Sequence, residues 1–185
     1  MRIVAGEYSS RKLETLKGEA TRTTLDKVRE AVFSSLGGYF AGGRVLDLYA
    51  GSGAIGLEAL SRGMDEAVFV DSSREAVRVI RNNIASLKAG ERSRVLCVKA
   101  AAALAILQKE GQKFDLVYLD PPYARQENDR ILKLLEEYQL LNPGARVVIE
   151  SLKEDPRPDD TASIRFHKDA VYGITRIRYY ICQED

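Results

Sequence analysis

Histidine, tryptophan and cysteine are scarce in this sequence, and each scarcity removes a class of chemistry. Among 185 residues there is one histidine, His167, and no tryptophan. A Ser-His-Asp triad needs an imidazole base, and most protein zinc sites draw on several imidazoles or thiolates, so neither a triad nor a metal site is expected. The two cysteines, Cys97 and Cys182, lie far apart within apolar stretches. They suit a reducing compartment rather than a disulfide framework, and Cys97 reads as core filling. An excess of one charge is missing too: 28 Lys and Arg face 27 Asp and Glu, for a formal net charge of +1. Bulk charge gives no argument for nucleic-acid binding, which leaves only a local basic patch to consider. No apolar run approaches the ~18 residues of a membrane span, and residues 1–7 lack a signal-peptide core. The expectation is a soluble, cytoplasmic protein with no membrane partner.

Hydrophobic residues make up 45% of the chain and charged residues 30%, enough for a packed core under a solvated surface. The length suits one domain spanning residues 1–185. Within it, residues 1–40 read as an N-terminal arm and helix, and residues 44–185 as the core.

Short β-branched runs alternate with helical periodicities through that core, the pattern of a βαβ architecture. Strands are expected at Arg44–Ala50, Ala67–Asp71, Arg94–Val98, Phe114–Leu119 and Ala145–Ile149. Two late strands, around Ile164/Phe166 and Ile177/Tyr179/Ile181, alternate in the manner of antiparallel edge strands. Ser72 and Glu75 form a capping box, after which Val77, Ile80, Ile84 and Leu87 make one apolar helical stripe. Ile131, Leu132, Leu134, Leu135 and Tyr138 mark another helix face. In the N-terminal piece, residues 2–13 form a strand pair or arm around Gly6. Thr23 and Asp26 form a capping box for a helix with Leu25, Val28, Val32 and Leu36 on one side. The expected fold is a doubly wound α/β, mostly parallel seven-stranded, Rossmann-like sheet. Antiparallel C-terminal strands and a small N-terminal β-arm plus helix complete it.

Gly51-Ser52-Gly53-Ala54-Ile55-Gly56 matches GxGxxG between a strand and a helix, and Asp71 follows twenty residues after Gly51. Such glycines let the backbone approach a ligand, and an acid at that distance holds ribose hydroxyls. The motif serves dinucleotides and S-adenosylmethionine alike. Asp47 favours the second, because a carboxylate beside the loop repels a pyrophosphate but suits an ammonium and a sulfonium. Capping of the loop's N–H groups is the structural reading of Asp47, and the two roles are compatible. The cofactor residues expected are Asp47, Ala50, Gly51, Ser52, Gly53 and Asp71.

Asp120-Pro121-Pro122-Tyr123 follows the fourth strand at its C-terminal end, the edge where open α/β sheets bind ligands. The prolines fix φ and remove two N–H donors, leaving a rigid loop rich in acceptors. The Asp120 carboxylate and the Pro121 carbonyl can each accept one hydrogen of an exocyclic amine, and Tyr123 offers a face on which a base can stack. Asp120, Pro121, Pro122 and Tyr123 are therefore the expected catalytic residues. Positioning, not a histidine base, would drive the transfer.

The Asp47…Gly51-x-Gly53 loop, Asp71 and Asp120–Tyr123 together resemble the class I, amino-modifying S-adenosylmethionine-dependent methyltransferases. Arg2–Gly6, Arg11-Lys12-Leu13 and Arg22–Glu30 narrow the likeness: the chain resembles the bacterial 16S ribosomal RNA guanine-N2 methyltransferases over nearly its whole length, including the Tyr172-Gly173 tail. The resemblance implies methyl transfer to the N2 amine of a guanine in the small subunit or an assembly intermediate, by a monomer. Thr23 stands where that family has proline, and Lys99 with alanines 100–103 where it has Asp or Asn. A DNA adenine-N6 or protein glutamine-N5 methyltransferase, or a non-catalytic binding module, is the alternative. Residues 1–29 hold seven basic side chains against four acids, and Arg11, Lys12 and Arg22 are the expected RNA contacts.

Overall fold

The computed structural model describes residues 1–18, 22–122 and 124–184, leaving aside the side chains of 22–24 and 124–126. Tyr123 and the side chain of Arg22 thus lie outside the described residues. Seven strands form one sheet in the order β3-β2-β1-β4-β5-β7-β6. They are β1 (Arg44–Asp47), β2 (Glu66–Val70), β3 (Ser93–Leu96), β4 (Phe114–Leu119), β5 (Leu141–Leu152), β6 (Ile164–Tyr172) and β7 (Thr175–Cys182). The first five pair in parallel, and β7 runs antiparallel to both β5 and β6. Among the described residues the α-helices are α1 (Arg22–Ser35), α2 (Ala54–Ser61), α3 (Arg74–Ser86), α4 (Ala100–Lys109) and α5 (Ala124–Glu137).

The helices divide between the two faces of the sheet. Val32 and Phe33 of α1 with Leu36 just after it, Leu57 and Leu60 of α2, and Ile80 and Ile84 of α3 pack with Val45, Phe69, Leu116 and Tyr179. On the other face, Ala103, Leu104 and Leu107 of α4 and Ile131, Leu132 and Leu135 of α5 pack with Leu46, Val68, Val117, Val147 and Tyr180. Strands buried on both sides explain the near-continuous apolar runs in β1, β2 and β4. The doubly wound fold expected from the sequence is present.

Several local expectations shift. β1 ends at Asp47 and β5 begins four residues early, because pairing partners rather than propensity set strand ends. The N-cap of α3 is Ser73, whose hydroxyl accepts from Ala76 N at 3.2 Å; the backbone of Ser73 is itself fixed by the Asp71 carboxylate, so Ser72 is displaced from the cap. α1 already includes Thr23, and Asp26 pairs with Arg29 at 3.0 Å instead of capping. Of the two late strands only β6 is an edge; β7 is interior, which buries Tyr179 and Tyr180. Cys97, just past the end of edge strand β3, is exposed rather than core filling.

The N-terminal arm is stapled onto this frame. Ile3, Tyr8 and Leu13 enter the same apolar cluster as the sheet, and Arg2 bridges Lys12 across the turn at Gly6. Its principal anchor is Glu58 on α2, fully buried, whose two carboxylate oxygens accept Val4 N at 3.1 and 3.0 Å. Arg62, one turn on, donates to the same carboxylate at 3.1 Å and to Gly38 O at 2.9 Å. Arg29, also buried, donates to the Arg2 carbonyl and, by its charge, favours the ionised Glu58 against the burial that raises its pKa. Further along, Asn83 of α3 takes Glu14 N at 2.7 Å and donates to Glu14 O at 3.0 Å and Ser52 O at 2.8 Å.

Removing one partner of a buried ion pair strands the others, at a cost of about 3–5 kcal/mol. Glu58→Ala should lower the urea-unfolding free energy by that order; a loss below 1 kcal/mol would show that the arm is held by its apolar contacts alone.

Candidate functional site

The sheet order reverses between β1 and β4, so the connections from these neighbouring strands leave toward opposite faces and open a crevice at their C-terminal ends. The glycine loop occupies it. Gly51 and Gly53 adopt φ of +58° and +84°, backbone that favours glycine. Gly56 has a packing role: a Cβ there would stand 2.4 Å from Phe69 Cε1, so glycine lets α2 lie against β2. Two carboxylates brace the turn. Asp47 Oδ2 accepts Gly56 N at 3.0 Å, and Asp71 Oδ2 accepts Gly51 N at 2.9 Å. The structural role expected of Asp47 is therefore present. Asp71, at the end of β2, uses its other oxygen on Ser73 N at 2.9 Å, which couples the loop to the start of α3.

A second acidic group meets the loop from the other side of the crevice. Asp120 follows β4 and opens onto the cleft, and Glu150 of β5 accepts the Tyr118 hydroxyl at 2.6 Å. The cleft is lined by Asp47, Asp120, Glu150 and Tyr118 together with Ala50, Gly51 and Ser52 of the loop. Burial disfavours their ionisation, and repulsion from neighbouring carboxylates adds to it at Asp47 and Asp120. The Asp47 carboxyl is pushed up from 3.8 to about 7, by burial first and by Asp71 to a lesser degree, against the Gly56 hydrogen bond. Asp120 is raised well above the ordinary carboxylate range by its surroundings, then by Glu150 and Asp47; Glu150 rises through burial. Burial and Glu150 raise the Tyr118 phenol further, so it stays a hydrogen-bond donor.

The remaining wall comes from the N-terminal extension. Met1, Leu25, Val28 and Arg29 face the same cleft, and Ser52 Oγ lies 3.8 Å from Met1 Sδ. Tyr49 completes it, its hydroxyl donating to Glu127 of α5 at 3.0 Å. Of the expected cofactor residues, Asp47, Ala50, Gly51 and Ser52 line the cleft, with Gly53 behind them and Asp71 bound to Gly51. Pro121 is buried beside Asp120 and Pro122 exposed. Arg11 and Lys12 are exposed on the arm, Arg11 donating to Ser86 O at 2.7 Å. Lys99 is the N-cap of α4 and makes no side-chain cap.

Glu150, Tyr118, Tyr49 and Arg29 were not expected. Glu150 carried a signal, since an acid inside the apolar run Val147–Leu152 is as anomalous as Asp47 in β1. Among the described residues the cleft presents three carboxyl groups and one lining guanidinium, that of Arg29, which is already engaged by Asp26 and the arm. That donor set suits a ligand bearing positive charge.

The chain is 34% identical over 180 residues to “Ribosomal RNA small subunit methyltransferase D” of Escherichia coli, covering 97% of this chain and 89% of that protein. It is 37% identical to “Putative rRNA methyltransferase YlbH” of Bacillus subtilis, covering 97% and 98%. The family model described as conserved hypothetical protein 95 matches residues 1–181. The chain belongs to this methyltransferase family. Among solved structures, “Putative methyltransferase yhhF from Escherichia coli” superposes on the family member described here with a TM-score of 0.87 at 32% identity, over 100% and 99% of the two chains. A Thermus thermophilus 16S rRNA N2 G1207 methyltransferase, solved with AdoMet and guanosine, shares the fold alone: TM-score 0.66 at 19% identity, over 90% and 44% of the chains. The family's fold is that of the class I methyltransferases.

The raised pKa of Asp47 sets a sign for stability. The native state keeps a proton on Asp47 between about pH 4 and about pH 7 that the unfolded chain has already released. Stability of the ligand-free protein should fall as pH rises through that window, and Asp47→Asn should flatten the fall. Melting temperatures at pH 5 and pH 8 check this; parallel curves for both proteins would exclude Asp47 as the group responsible.

Proposed function

We propose that the protein transfers a methyl group from S-adenosylmethionine to the exocyclic N2 amine of a guanine in 16S ribosomal RNA, within the small subunit or an assembly intermediate. The observation that carries the reading is the cluster of Asp47, Asp120 and Glu150 at the reversal of strand order, beside the glycine loop and immediately before Pro121-Pro122. A cleft with this excess of carboxyl groups favours a cationic ligand, and a nicotinamide dinucleotide's pyrophosphate would meet repulsion there. The rRNA methyltransferase names of its relatives support the RNA substrate.

Asp47, Ala50, Gly51, Ser52 and Gly53 would hold the methionine and sulfonium end of the cofactor, and Asp71 the ribose hydroxyls. Bound there, S-adenosylmethionine supplies an electrophilic methyl carbon. Asp120 and the Pro121 carbonyl each accept one amine hydrogen, which turns the nitrogen lone pair toward that carbon. The Asp120 carboxylate would stabilise the nitrogen as it takes the methyl carbon and becomes positive, while the cofactor's carbon–sulfur bond breaks and its electron pair stays on the sulfur as a neutral thioether. The environment that raises the pKa of Asp120 also lets it accept the released proton and pass it to water. Tyr123 provides the stacking face for the guanine.

Small subunits from a strain lacking the modification, given labelled S-adenosylmethionine, should yield labelled N2-methylguanosine on nucleoside analysis. Label in DNA, in protein or in another nucleoside would overturn the reading.

Asp120→Asn keeps the shape and one acceptor but loses the charge, so kcat should fall on the order of 10²–10³-fold while cofactor affinity changes little. Single-turnover kinetics beside a cofactor titration separate the two. Wild-type turnover would reduce Asp120 to a turn former, and equal loss of binding and turnover would make it a cofactor ligand.

A further inference from the structure

Outside the cleft, the chain neutralises its arginines with care. Arg44 pairs with Glu66, Arg92 with Glu7, Arg94 with Glu110, Arg157 with Asp160 and Arg176 with Asp169. Two arginine side chains break the pattern: among the described residues, Arg74 and Arg81 have no hydrogen-bond or ion-pair partner. Both stand on the outer face of α3. With Val77, Arg78, Asn82 and the exposed Cys97 they line one hollow of about 480 Å³.

The arrangement is unfavourable for the helix itself. Arg74 and Arg78 are four residues apart, and Arg78 and Arg81 three, so like charges face each other along one stripe. The acids nearby relieve little of this. Glu14 reaches Arg78 at 3.3 Å across a solvent-exposed gap, where an ion pair is weak. Glu75, the acid in the first turn of α3, forms no described hydrogen bond or ion pair with the arginines. The stripe runs about 10 Å along the axis, at 1.5 Å per residue. It begins three residues beyond Asp71, at the rim of the cofactor loop. It continues toward Arg11, which is fastened to Ser86 O at the far end of α3.

We infer that this face of α3 is a docking surface for the phosphodiester backbone of the RNA, with Arg74 and Arg81 as its free cationic contacts. The inference rests on the reading of the protein as an RNA methyltransferase. A guanidinium presents a planar fork that fits phosphate oxygens bidentately. A row of such forks suits an extended polyanion better than a single ion, and phosphates would remove the repulsion that the helix bears alone. Contacts of this kind orient the strand without reading its sequence.

The test is Arg74→Gln/Arg81→Gln beside a charge-matched control, Arg165→Gln/Arg176→Gln, on β6 and β7. Binding of a labelled fragment of small-subunit RNA is measured across a salt series. The α3 variant should bind several-fold more weakly, with a log Kd against log salt slope reduced by about 1.5 for two lost phosphate contacts. The control should keep the wild-type slope. KM for subunits should rise in parallel, with cofactor affinity intact and no loss of melting temperature. Unchanged RNA affinity and slope, or equal weakening by the control, would overturn the surface. A fall in melting temperature would assign the arginines to the fold instead. Because binding is read without transfer, a wild-type protein that binds the RNA but methylates nothing would fail the functional reading alone.

Discussion

The gathering of the Asp47, Asp120 and Glu150 carboxyl groups into one cleft is the constraint around which the site is organised. Burial raises the pKa of all three, and repulsion from Glu150 and Asp47 adds to the rise at Asp120. Each is held by a different element, at the end of β1, after β4 and within β5. They meet because those three strands are neighbours in the sheet. A cationic ligand relieves the repulsion, so selectivity for charge is built into the strand order itself. The Gly56 and Tyr118 hydrogen bonds to Asp47 and Glu150 hold two of the groups in place.

The N-terminal extension is coupled to the same cleft by a second buried charge system. Glu58, Arg62 and Arg29 join α2, the arm and α1, and Asn83 ties the end of the arm to Ser52 of the glycine loop. Met1 and the Leu25, Val28 and Arg29 side of α1 thereby become walls of the site. The first 40 residues thus shape the cleft directly, in addition to the RNA contact proposed for Arg11, Lys12 and Arg22.

A net charge of +1 conceals an uneven distribution. Among the described residues, most arginines are matched by nearby acids or backbone carbonyls, the acids of the cleft are gathered in one place, and the unmatched guanidinium groups stand on α3. Composition averages over these arrangements, which is why the whole chain looks neutral to a polyanion while one face of it does not.

Much of this was legible along the chain because the signals are local. Period-two and period-3.6 patterns report which faces are buried, and the glycine loop and Asp120-Pro121-Pro122 are contiguous. An acid in an apolar strand is conspicuous at Asp47 without any knowledge of its neighbours. The same signal was present at Glu150, but its meaning depends on β5 lying beside β4, which no local pattern states. Strand order also decided that β7 would be interior and bury Tyr179 and Tyr180, and that Cys97 would lie exposed beyond an edge. Sequence by itself determined the element types, the doubly wound class and the motif residues, since these follow from short-range sterics and hydrophobic periodicity. Tertiary structure alone decided which charges face one another: Asp47 with Asp120 and Glu150, Glu58 with Arg29, and, among the described residues, Arg74 and Arg81 with none. Coulombic interaction and burial depend on distance through space, and residues 30 to 100 positions apart acquire that distance only when the sheet closes.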